Sequence, residues 1–421
     1  MMSQSRRSFL KTSAALSAAA MFASLGTNYA HAAGSDRIKL GVIGCGGRGT
    51  GAVKNAAKAS DKIQLVAMGD LFPDRLEGSK KELQSLKDQY AVKDDHCFTG
   101  FDNYKGVLAS DIDMVILATP PGFRPQHMRA AVDAGKHIFA EKPVAVDPTG
   151  VRSILECAKI ADEKKLGLVV GTQRRHTPWY VECLKRINDG AIGEVVSAEV
   201  GWNQGGMWYK KKERSWSDME WQLRNWQYFV WLGGDIIVEQ HIHNIDIANW
   251  ALGGPPVAAY GTGGRQARVD PVFGHIYDHF AVEFEYANGA RVTSLCRQID
   301  GTEDRIGEWI VGTKGKSIPN EGLITGENPW KYEGSTKKSV GYVQEHVDLI
   351  KSIEEGKPIN EGKRIAETTL TAIMGRMSAY TGKRIKWDQA MASKLDTFPK
   401  KLEFGPMPTP PVAMPGKEPV V

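Results

Sequence analysis

Short apolar runs alternate with stretches of helical spacing from residue 36 to residue 171. A strand is predicted where about four to eight mostly apolar residues stand between polar segments, and a helix where apolar residues recur about every three or four positions. Regular alternation of the two predicts an α/β domain with a doubly wound parallel sheet. The predicted strands are 40–43, 63–68, 113–117, 137–140 and 168–171, and the predicted helices are 50–59, 73–90, 125–134 and 148–164.

The pattern changes after residue 172. A predicted helix over 178–188 is followed by segments in which apolar and polar residues alternate, and the pair Asn288-Gly289 predicts a tight hairpin between two of them. We therefore expect a C-terminal α+β domain with a largely antiparallel open sheet. Its predicted strands are 195–201, 258–262, 280–286, 291–298 and 308–311, and helical spacing returns at 342–355 and 364–380.

The first predicted strand runs into the motif Gly44-x-Gly46-x-x-Gly49. In a dinucleotide site the first glycine permits a tight turn, the second lets the backbone approach a pyrophosphate, and the third lets the helix pack on the strand. The second strand leads to Asp70, whose carboxylate can accept hydrogen bonds from the ribose hydroxyls and would repel a 2′-phosphate. Since Leu71 adds no positive charge, these residues predict NAD rather than NADP.

Polar motifs also follow two later strands of the same predicted sheet. Thr119-Pro120 comes after the third strand, and Glu141-Lys142-Pro143 comes after the fourth. Because ligands of such sheets bind at the carboxyl ends of the strands, one crevice should collect these residues. The residues expected to bind the cofactor are Gly44, Gly46, Gly47, Arg48, Gly49, Asp70, Thr119, Pro120, Glu141 and Lys142.

The N-terminus has the pattern of a twin-arginine signal peptide. It reads Ser-Arg-Arg-Ser-Phe-Leu-Lys at 5–11, has an apolar run at 14–25 that is too short to span a membrane, and ends with Ala-His-Ala at 30–32. We expect a soluble periplasmic protein that the twin-arginine machinery exports already folded. Because the periplasm should hold little free nucleotide, such a protein would need its NAD bound tightly before export.

Charge and cysteine content exclude several classes of partner. The chain has 54 Lys and Arg against 49 Asp and Glu, and loss of the three basic residues of the signal leaves 51 against 49. Such a balance predicts neither a nucleic-acid nor a membrane partner. The five scattered cysteines predict neither a disulfide framework nor a cysteine metal site. The predicted parts are the signal 1–32, the dinucleotide domain 33–173, the second domain 174–388 and a proline-rich arm 389–421, which could be disordered or wrap a neighbouring subunit.

Three residues have the chemistry needed to oxidise a secondary alcohol. A histidine that titrates near neutrality suits removal of the hydroxyl proton, and His243 is the candidate. Glu239 precedes it by four positions, so on a helix its carboxylate could steady the imidazole. Lys142, at a strand end, could stabilise a developing alkoxide. The predicted catalytic residues are Lys142, His243 and Glu239.

The order of these motifs resembles the glucose-fructose oxidoreductase and inositol dehydrogenase (Gfo/Idh/MocA) family over roughly residues 36–388. The resemblance rests on the glycine motif, Asp70, Thr119-Pro120, Glu141-Lys142-Pro143 and the stretch 233–246. It implies that Lys142 lies beside the nicotinamide and the substrate hydroxyl, and that His243 serves as the acid/base. Glu239 stands where the family has an aspartate, and His241 stands where a glycine is common.

Six of the eleven tryptophans lie between Trp202 and Trp231. Aromatic faces stack on sugar C–H groups, which favours a carbohydrate site, and a long ordered loop or a subunit contact is the alternative. The pair Arg174-Arg175, after the last parallel strand, could contact the cofactor or an anionic substrate. The residues expected to bind substrate are Lys142, Arg174, Trp202, Asn203, Arg224, Glu239, His241 and His243.

Four histidines of the second domain raise the question of a metal site. His275 and His279 have the i, i+4 spacing of helical metal ligands. However, His241 and His243 would point to different faces of a helix, and ligand-type residues also gather at any polar sugar site. We therefore expect no bound metal.

Together these features predict a periplasmic oxidoreductase that transfers a hydride between tightly bound NAD(H) and a secondary alcohol of a sugar, glycoside or polyol. A homo-oligomer, dimer or tetramer, is expected. One alternative is a redox-neutral hydrolase or epimerase, because transient oxidation of a ring carbon acidifies the neighbouring C–H and permits elimination. A sugar-binding protein without catalytic activity is the other alternative.

Overall fold

A computed structural model describes residues 37–336 and 340–419. The predicted signal peptide, residues 1–32, lies outside the described residues. Within them, no helix combines the length and the apolar character that crossing a membrane requires.

The first sheet consists of parallel strands with helices on both faces. Its strands are β1 (Ile38–Ile43), β2 (Ile63–Asp70), β3 (Cys97–Thr99), β4 (Met114–Leu117), β5 (His137–Ala140) and β6 (Leu168–Val170). Its helices are α1 (Gly47–Ala59), α2 (Pro73–Leu83), α3 (Asn103–Ala109), α4 (Arg124–Asp133) and α5 (Pro148–Glu163). The strand order is β3-β2-β1-β4-β5-β6, and every neighbouring pair is parallel. The predicted doubly wound sheet is confirmed.

The second domain begins with α6 (Pro178–Asn188) and contains a long mixed sheet. Its strands are β7 (Val195–Gln204), β8 (Ala258–Gly264), β9 (His279–Glu285), β10 (Arg291–Gln298), β11 (Arg305–Gly312), β12 (Gly315–Ile318), β13 (Leu323–Gly326), β14 (Trp330–Lys331) and β15 (Ile385–Lys386). The order is β14-β13-β12-β11-β7-β10-β9-β8-β15, antiparallel throughout except for β7 and β10. Gly289, at φ +87°, makes the predicted hairpin between β9 and β10.

Four helices connect β7 to β8, and three more come after β14. They are α7 (Asp218–Arg224), α8 (Val230–Gly233), α9 (Ile236–Glu239), α10 (Ile242–Ala251), α11 (Val340–Glu354), α12 (Gly362–Thr381) and α13 (Trp387–Ala392). α11 returns to the first domain, where Leu349 and Ile350 are buried in the same apolar cluster as Leu40 and Val42. The core of the first domain therefore includes a helix from far beyond residue 173.

α12 fixes the two domains against each other near the carboxyl end of β5. The buried Arg376 of this helix donates from Nη1 to the Gly234 carbonyl and from Nη2 to the Val146 carbonyl, both at 2.8 Å. Gly234 comes directly before the segment that contains α9 and α10. This arginine thus holds that segment next to the end of the parallel sheet.

The proline-rich tail packs along its own chain as far as residue 419. Thr397 N donates to Asp147 Oδ2 at 2.8 Å, and Phe398 packs edge-on against Phe123. Further on, the Tyr277 hydroxyl donates to the Ala413 carbonyl at 3.0 Å. The tail therefore acts as a strap across both domains of one subunit.

Candidate active site

The glycine motif forms the turn between β1 and α1. Gly44 has φ +98°, and a Cβ there would lie 2.6 Å from the carbonyl carbon of Ala118. A Cβ on Gly49 would lie 1.8 Å from the Gly44 carbonyl oxygen, so a larger residue would push α1 away from β1. Gly46 and Gly47 have no atom within 4 Å of that position. The backbone at the N-terminus of α1 is therefore open to a phosphate group.

Asp70 lies at the carboxyl end of β2 beside this turn. Its Oδ2 accepts a hydrogen bond from Cys45 N at 2.6 Å, and its Oδ1 accepts one from Phe72 N at 2.8 Å. Burial raises the pKa of Asp70, while the two backbone hydrogen bonds act in the opposite direction. Because each carboxylate oxygen has more than one acceptor site, the fixed side chain can still accept ribose hydroxyls.

We expect Asp70→Asn to weaken NAD binding without weakening NADP binding. The amide keeps the size of the side chain but removes a charged acceptor, and a hydrogen bond to a charged group is worth ~1.5–3 kcal/mol. Calorimetric titration of the nucleotide-free protein with each dinucleotide measures the ratio of the two affinities. Asp111→Asn, at a side chain that is 83% exposed, is the control. An unchanged ratio in Asp70→Asn would argue against a ribose contact.

A cavity of about 520 Å³ opens at the carboxyl ends of β1, β2 and β4. On the side of the first domain it is lined by the predicted cofactor residues Gly44, Gly46, Gly47, Arg48, Asp70, Thr119 and Pro120. On the side of the second domain it is lined by Trp208, Tyr209, Lys210, Leu223, Arg224 and Trp226. Open backbone, a carboxylate and apolar walls fit the phosphate, ribose and base parts of NAD.

Arg48 connects the glycine turn with the motif that follows β5. Its Nε donates to Glu141 Oε1 at 2.6 Å, and its guanidinium lies 5.0 Å from the centre of the Tyr342 ring. Burial lowers the pKa of Arg48, but the charge of Glu141 and the hydrogen bond to it raise it above the usual value. The side chain is 41% exposed and remains accessible to an anionic group.

Lys142 extends from the end of β5 into the second domain. Its Nζ donates to Glu239 Oε1 at 2.9 Å and to the Glu239 carbonyl at 2.6 Å. The two side chains are only 13% and 14% exposed, so water screens the pair weakly. The structure thus brings together two of the three predicted catalytic residues across the domain boundary.

His243, the third of them, lies near the start of α10. Its ring stacks on Trp202 with the ring centres 5.8 Å apart, and its Nδ1 has no hydrogen-bond partner among the described residues. Burial, and then the positive charges of Lys142 and Arg174, lower the pKa of His243 well below the usual value. The lowered pKa favours the neutral imidazole, which can accept a hydrogen bond from a hydroxyl group but is a weaker base than the near-neutral histidine expected from the sequence.

The segment with Glu239 and His243 is not the single helix that their spacing predicted. α9 ends at Glu239, and α10 begins only at Ile242. The Glu239 carboxylate consequently pairs with Lys142, and the expected hydrogen bond to the imidazole is absent from the described contacts. In this structure Glu239 orients Lys142 rather than His243.

Backbone strain at Asp235 sets the direction of this segment. Asp235 is fully buried and has φ +77°, a conformation that a residue with a side chain rarely adopts. Its Oδ1 accepts from Ile236 N at 2.6 Å and its Oδ2 accepts from Tyr277 N at 2.9 Å. Burial outweighs these bonds and raises the pKa of Asp235 to about 6.

Two of the predicted substrate residues are not placed to bind substrate. Asn203 directly follows Trp202 in β7, and because side chains alternate along a strand it faces the opposite side of the sheet. His241 is fully buried, and its Nε2 hydrogen-bonds to Ser294 Oγ at 2.8 Å. These contacts do not support a role in substrate binding for Asn203 or His241, and both assignments stay predictions.

The two predicted substrate arginines already have carboxylate partners. Arg174 lies 5.8 Å from the Trp202 ring but is paired with the buried Glu308, so its charge is balanced inside the protein. Arg224 lies at the dinucleotide cavity, where it is paired with Asp74 of α2. Neither offers a free positive charge to an anionic substrate.

The second-domain histidines do not converge on a metal site. His275 lies in a loop and His279 begins β9, so the helical spacing predicted for them is not realised. His279 Nδ1 contacts Asp278 Oδ1 at 2.7 Å. In the parts of the chain that the structure describes, no group of three or more His, Cys, Asp or Glu side chains is placed to hold a metal ion.

Sequence reasoning missed two neighbours of the reactive groups. Tyr342, under Arg48, comes from α11, and its only signal was membership of an amphipathic helix. Glu308, which neutralises Arg174, lies on the inward face of β11, where a charged residue interrupts the apolar alternation. That buried carboxylate in a strand pattern could have indicated a basic partner.

Family models match both domains. The model "Oxidoreductase family, NAD-binding Rossmann fold" matches residues 38–172, and "GFO/IDH/MocA C-terminal domain" matches residues 180–318. The model of the twin-arginine translocation pathway signal sequence matches residues 3–23. The protein is thus an NAD-binding oxidoreductase with a two-domain fold. It belongs to the Gfo/Idh/MocA family and carries a twin-arginine signal, which confirms the predicted family, cofactor and signal.

Individual relatives support this assignment. Inositol 2-dehydrogenase of Rhizobium meliloti (strain 1021) is 27% identical over 337 residues, which cover 76% of this chain and 90% of that protein. scyllo-Inositol 2-dehydrogenase (NAD(+)) of Bacillus subtilis (strain 168) is 29% identical over 234 residues, 54% of this chain and 57% of that protein. The crystal structure of the WlbA dehydrogenase from Bordetella pertussis, in complex with NADH and UDP-GlcNAcA, superposes on this chain with a TM-score of 0.65 at 20% sequence identity. The match covers 83% of this chain and 98% of that one. At that identity the likeness concerns the fold.

Proposed function

We propose that the protein is exported to the periplasm and there transfers a hydride between tightly bound NAD(H) and a secondary alcohol of a sugar, glycoside or polyol. The observation that carries this proposal is the contact between Lys142 and Glu239 after β5 of the parallel sheet, with His243 four residues further along the same segment. The names of the inositol dehydrogenases among the relatives support a ring polyol or sugar as substrate.

Each of these residues has a distinct task in the proposed reaction. NAD, when bound, supplies the hydride acceptor. The neutral imidazole of His243 takes the hydroxyl proton, and the Lys142 ammonium stabilises the alkoxide that develops. Glu239 holds Nζ in position through its two acceptors. Trp202, stacked on His243, offers an apolar face to sugar C–H groups.

The nucleotide content of the purified protein tests this proposal. Protein recovered from its native compartment without added nucleotide is denatured, and the released NAD(H) and NADP(H) are quantified by mass spectrometry. We expect about one NAD(H) per chain, because the described residues contain one glycine turn of the dinucleotide type, at Gly44–Gly49. A protein that is empty and also fails to take up added NAD would refute the enzyme and leave a sugar-binding protein.

A redox-neutral reaction is the second candidate function. The match to a twin-arginine signal at 3–23 favours it, because an exported enzyme that returns the hydride to its own product needs no exchange of NAD. The two candidates differ when a panel of inositols and glycosides is added to the loaded protein without an external acceptor. Cleaved or epimerised product would support the redox-neutral cycle, and NADH with an oxidised sugar would support the dehydrogenase. A dimer or tetramer stays a prediction that light scattering can test.

A further inference from the structure

One side of the dinucleotide cavity is formed by a wall from the second domain. This outer wall consists of residues 207–210, in the loop after β7, and residues 223–226, at the end of α7. It places Trp208, Tyr209 and Trp226 on the cavity that also contains Asp70. Because Asp70 marks the ribose position of a dinucleotide fold, these aromatic residues lie on the adenosine side of the cavity.

Hydrogen bonds within the second domain hold the outer wall in place. The Tyr228 hydroxyl is within 3.1 Å of the Met207 carbonyl and 3.0 Å of the Trp208 carbonyl. Lys210 N donates to Asn225 Oδ1 at 2.7 Å, while Trp221 Nε1 donates to the Lys210 carbonyl at 2.7 Å.

The aromatic side chains of the wall remain open towards a flat ligand. Trp208 and Tyr209 are 44% and 45% exposed, although their backbone is firmly anchored. Trp208 packs edge-on against Trp226, with ring centres 6.1 Å apart, and Tyr209 packs edge-on against Phe273 at 5.4 Å. A wall of preformed aromatic faces suits an adenine base, which stacks on such rings.

One arginine fastens the outer wall to the dinucleotide-binding domain. Arg224 donates from Nη1 and Nη2 to the two carboxylate oxygens of Asp74 at 3.1 and 3.0 Å, and its guanidinium lies 3.8 Å from the centre of the Phe72 ring. The Nε of Arg224 also donates a hydrogen bond to Glu220 Oε1 at 2.9 Å. Phe72 and Asp74 come two and four residues after Asp70, so this contact joins the two domains next to the ribose position.

The contact between Arg224 and Asp74 is well formed but partly exposed to water. The pair is bidentate and stacked, yet Asp74 is 59% exposed, so water can replace the arginine when the wall moves. The tail strap supports the same place, because Phe404 packs on Phe72 and Phe101 at ring distances of 6.1 and 5.2 Å.

We propose that the outer wall forms the adenosine side of the NAD site and that the Arg224–Asp74 pair is a latch that limits NAD release. This inference rests on the proposed function, in which NAD stays bound after export. It reassigns Arg224 from the substrate to the cofactor, and it gives the tryptophan-rich stretch a task in cofactor retention.

The test compares the rate of NAD release in holoprotein variants. Protein loaded with labelled NAD is diluted into excess unlabelled NAD, and the retained label is followed by filtration. Asp74→Asn, on the surface, is expected to speed release about threefold because a partly exposed ion pair is weakened. Arg224→Gln also loses the contact with Phe72 and is expected to speed release about tenfold. Asp133→Asn, which breaks an exposed pair with Arg129 on α4 away from the cavity, is the control and should release NAD at the wild-type rate.

Further outcomes separate this proposal from the proposed function. The charge-swapped double variant Asp74→Arg/Arg224→Asp is expected to release NAD more slowly than Arg224→Gln, because the pair is restored. Hydrogen exchange in residues 207–210 should rise in Arg224→Gln if the latch holds the wall. Release at the wild-type rate in both single variants overturns the latch while NAD binding stands. A wild-type protein that binds no dinucleotide overturns the proposed function and the latch with it.

Discussion

Lys142→Met is expected to slow hydride transfer in the NAD-loaded protein by ~10²–10³-fold, the usual effect of removing a group that stabilises developing negative charge. Methionine keeps the length of the side chain but removes the ammonium that lies 2.9 Å from Glu239 Oε1. The NAD content should stay near the wild-type level, because the residues that line the dinucleotide cavity are unchanged. Single-turnover formation of NADH with an inositol or a glycoside measures the rate.

Two further variants show whether the lost charge is the cause. Lys142→Met leaves Glu239 without its partner, so the double variant Lys142→Met/Glu239→Gln removes the unpaired carboxylate as well. If the ammonium acts on the alkoxide, the double variant remains slow. Recovery of the rate in the double variant would mean that Lys142 serves only to neutralise Glu239. A wild-type rate in Lys142→Met itself would exclude it from the reaction.

The dinucleotide half of the site was predictable because its determinants are local. The glycine turn needs Gly44 and Gly49 for steric reasons that involve residues next to them in β1, α1 and β4. Asp70 is fixed by its place at the end of β2. Because the residues of such a motif are close together in the chain, their relative positions in the structure can be predicted from the sequence alone.

The pairing of the proposed catalytic residues was not predictable from the sequence. Lys142 and Glu239 are 97 positions apart, and their contact depends on how Arg376 joins the loops at Val146 and Gly234. The break between α9 and α10 falls at Gln240 and His241, which are both buried and hydrogen-bonded to residues far along the chain, Gln298 and Ser294. Helical periodicity does not report such tertiary constraints.

Short elements escaped prediction for a different reason. β3 has three residues and α3 has seven, so neither is long enough to show a period. The predicted helix 73–90 ends at Leu83 and continues as a 3-10 segment to Gln89, with Lys87 at φ 54°. α7 lies in the tryptophan-rich stretch, where some aromatic residues line the cavity and others are in the core. The apolar positions there do not show a clear helical period.

His176→Gln is expected to lower the free energy of unfolding by ~3 kcal/mol at low pH, and by progressively less as the pH rises above neutrality. His176 lies in the turn after β6, and its Nδ1 is 2.6 Å from Asp348 Oδ2 on α11. Its Nε2 is 3.6 Å from Glu361 Oε1, before α12, and Glu345 adds a further acidic neighbour. Burial alone would lower the pKa of His176, but these carboxyl groups raise it to about 9.

The sign of the pH dependence follows from that raised pKa. Below the ordinary histidine value of 6.5 both the folded and the unfolded protein hold the proton, so the ion pair contributes fully. As the pH rises from there, the unfolded state loses its proton first, and the contribution falls until it is gone above a pH of about 9. Denaturant unfolding across this range should therefore show that the free energy of unfolding of the wild-type protein exceeds that of His176→Gln by an amount that decreases as the pH rises. Asp348→Asn should reproduce the loss, since it removes the nearest carboxylate, and a difference that stays constant with pH would mean that His176 is held by packing alone.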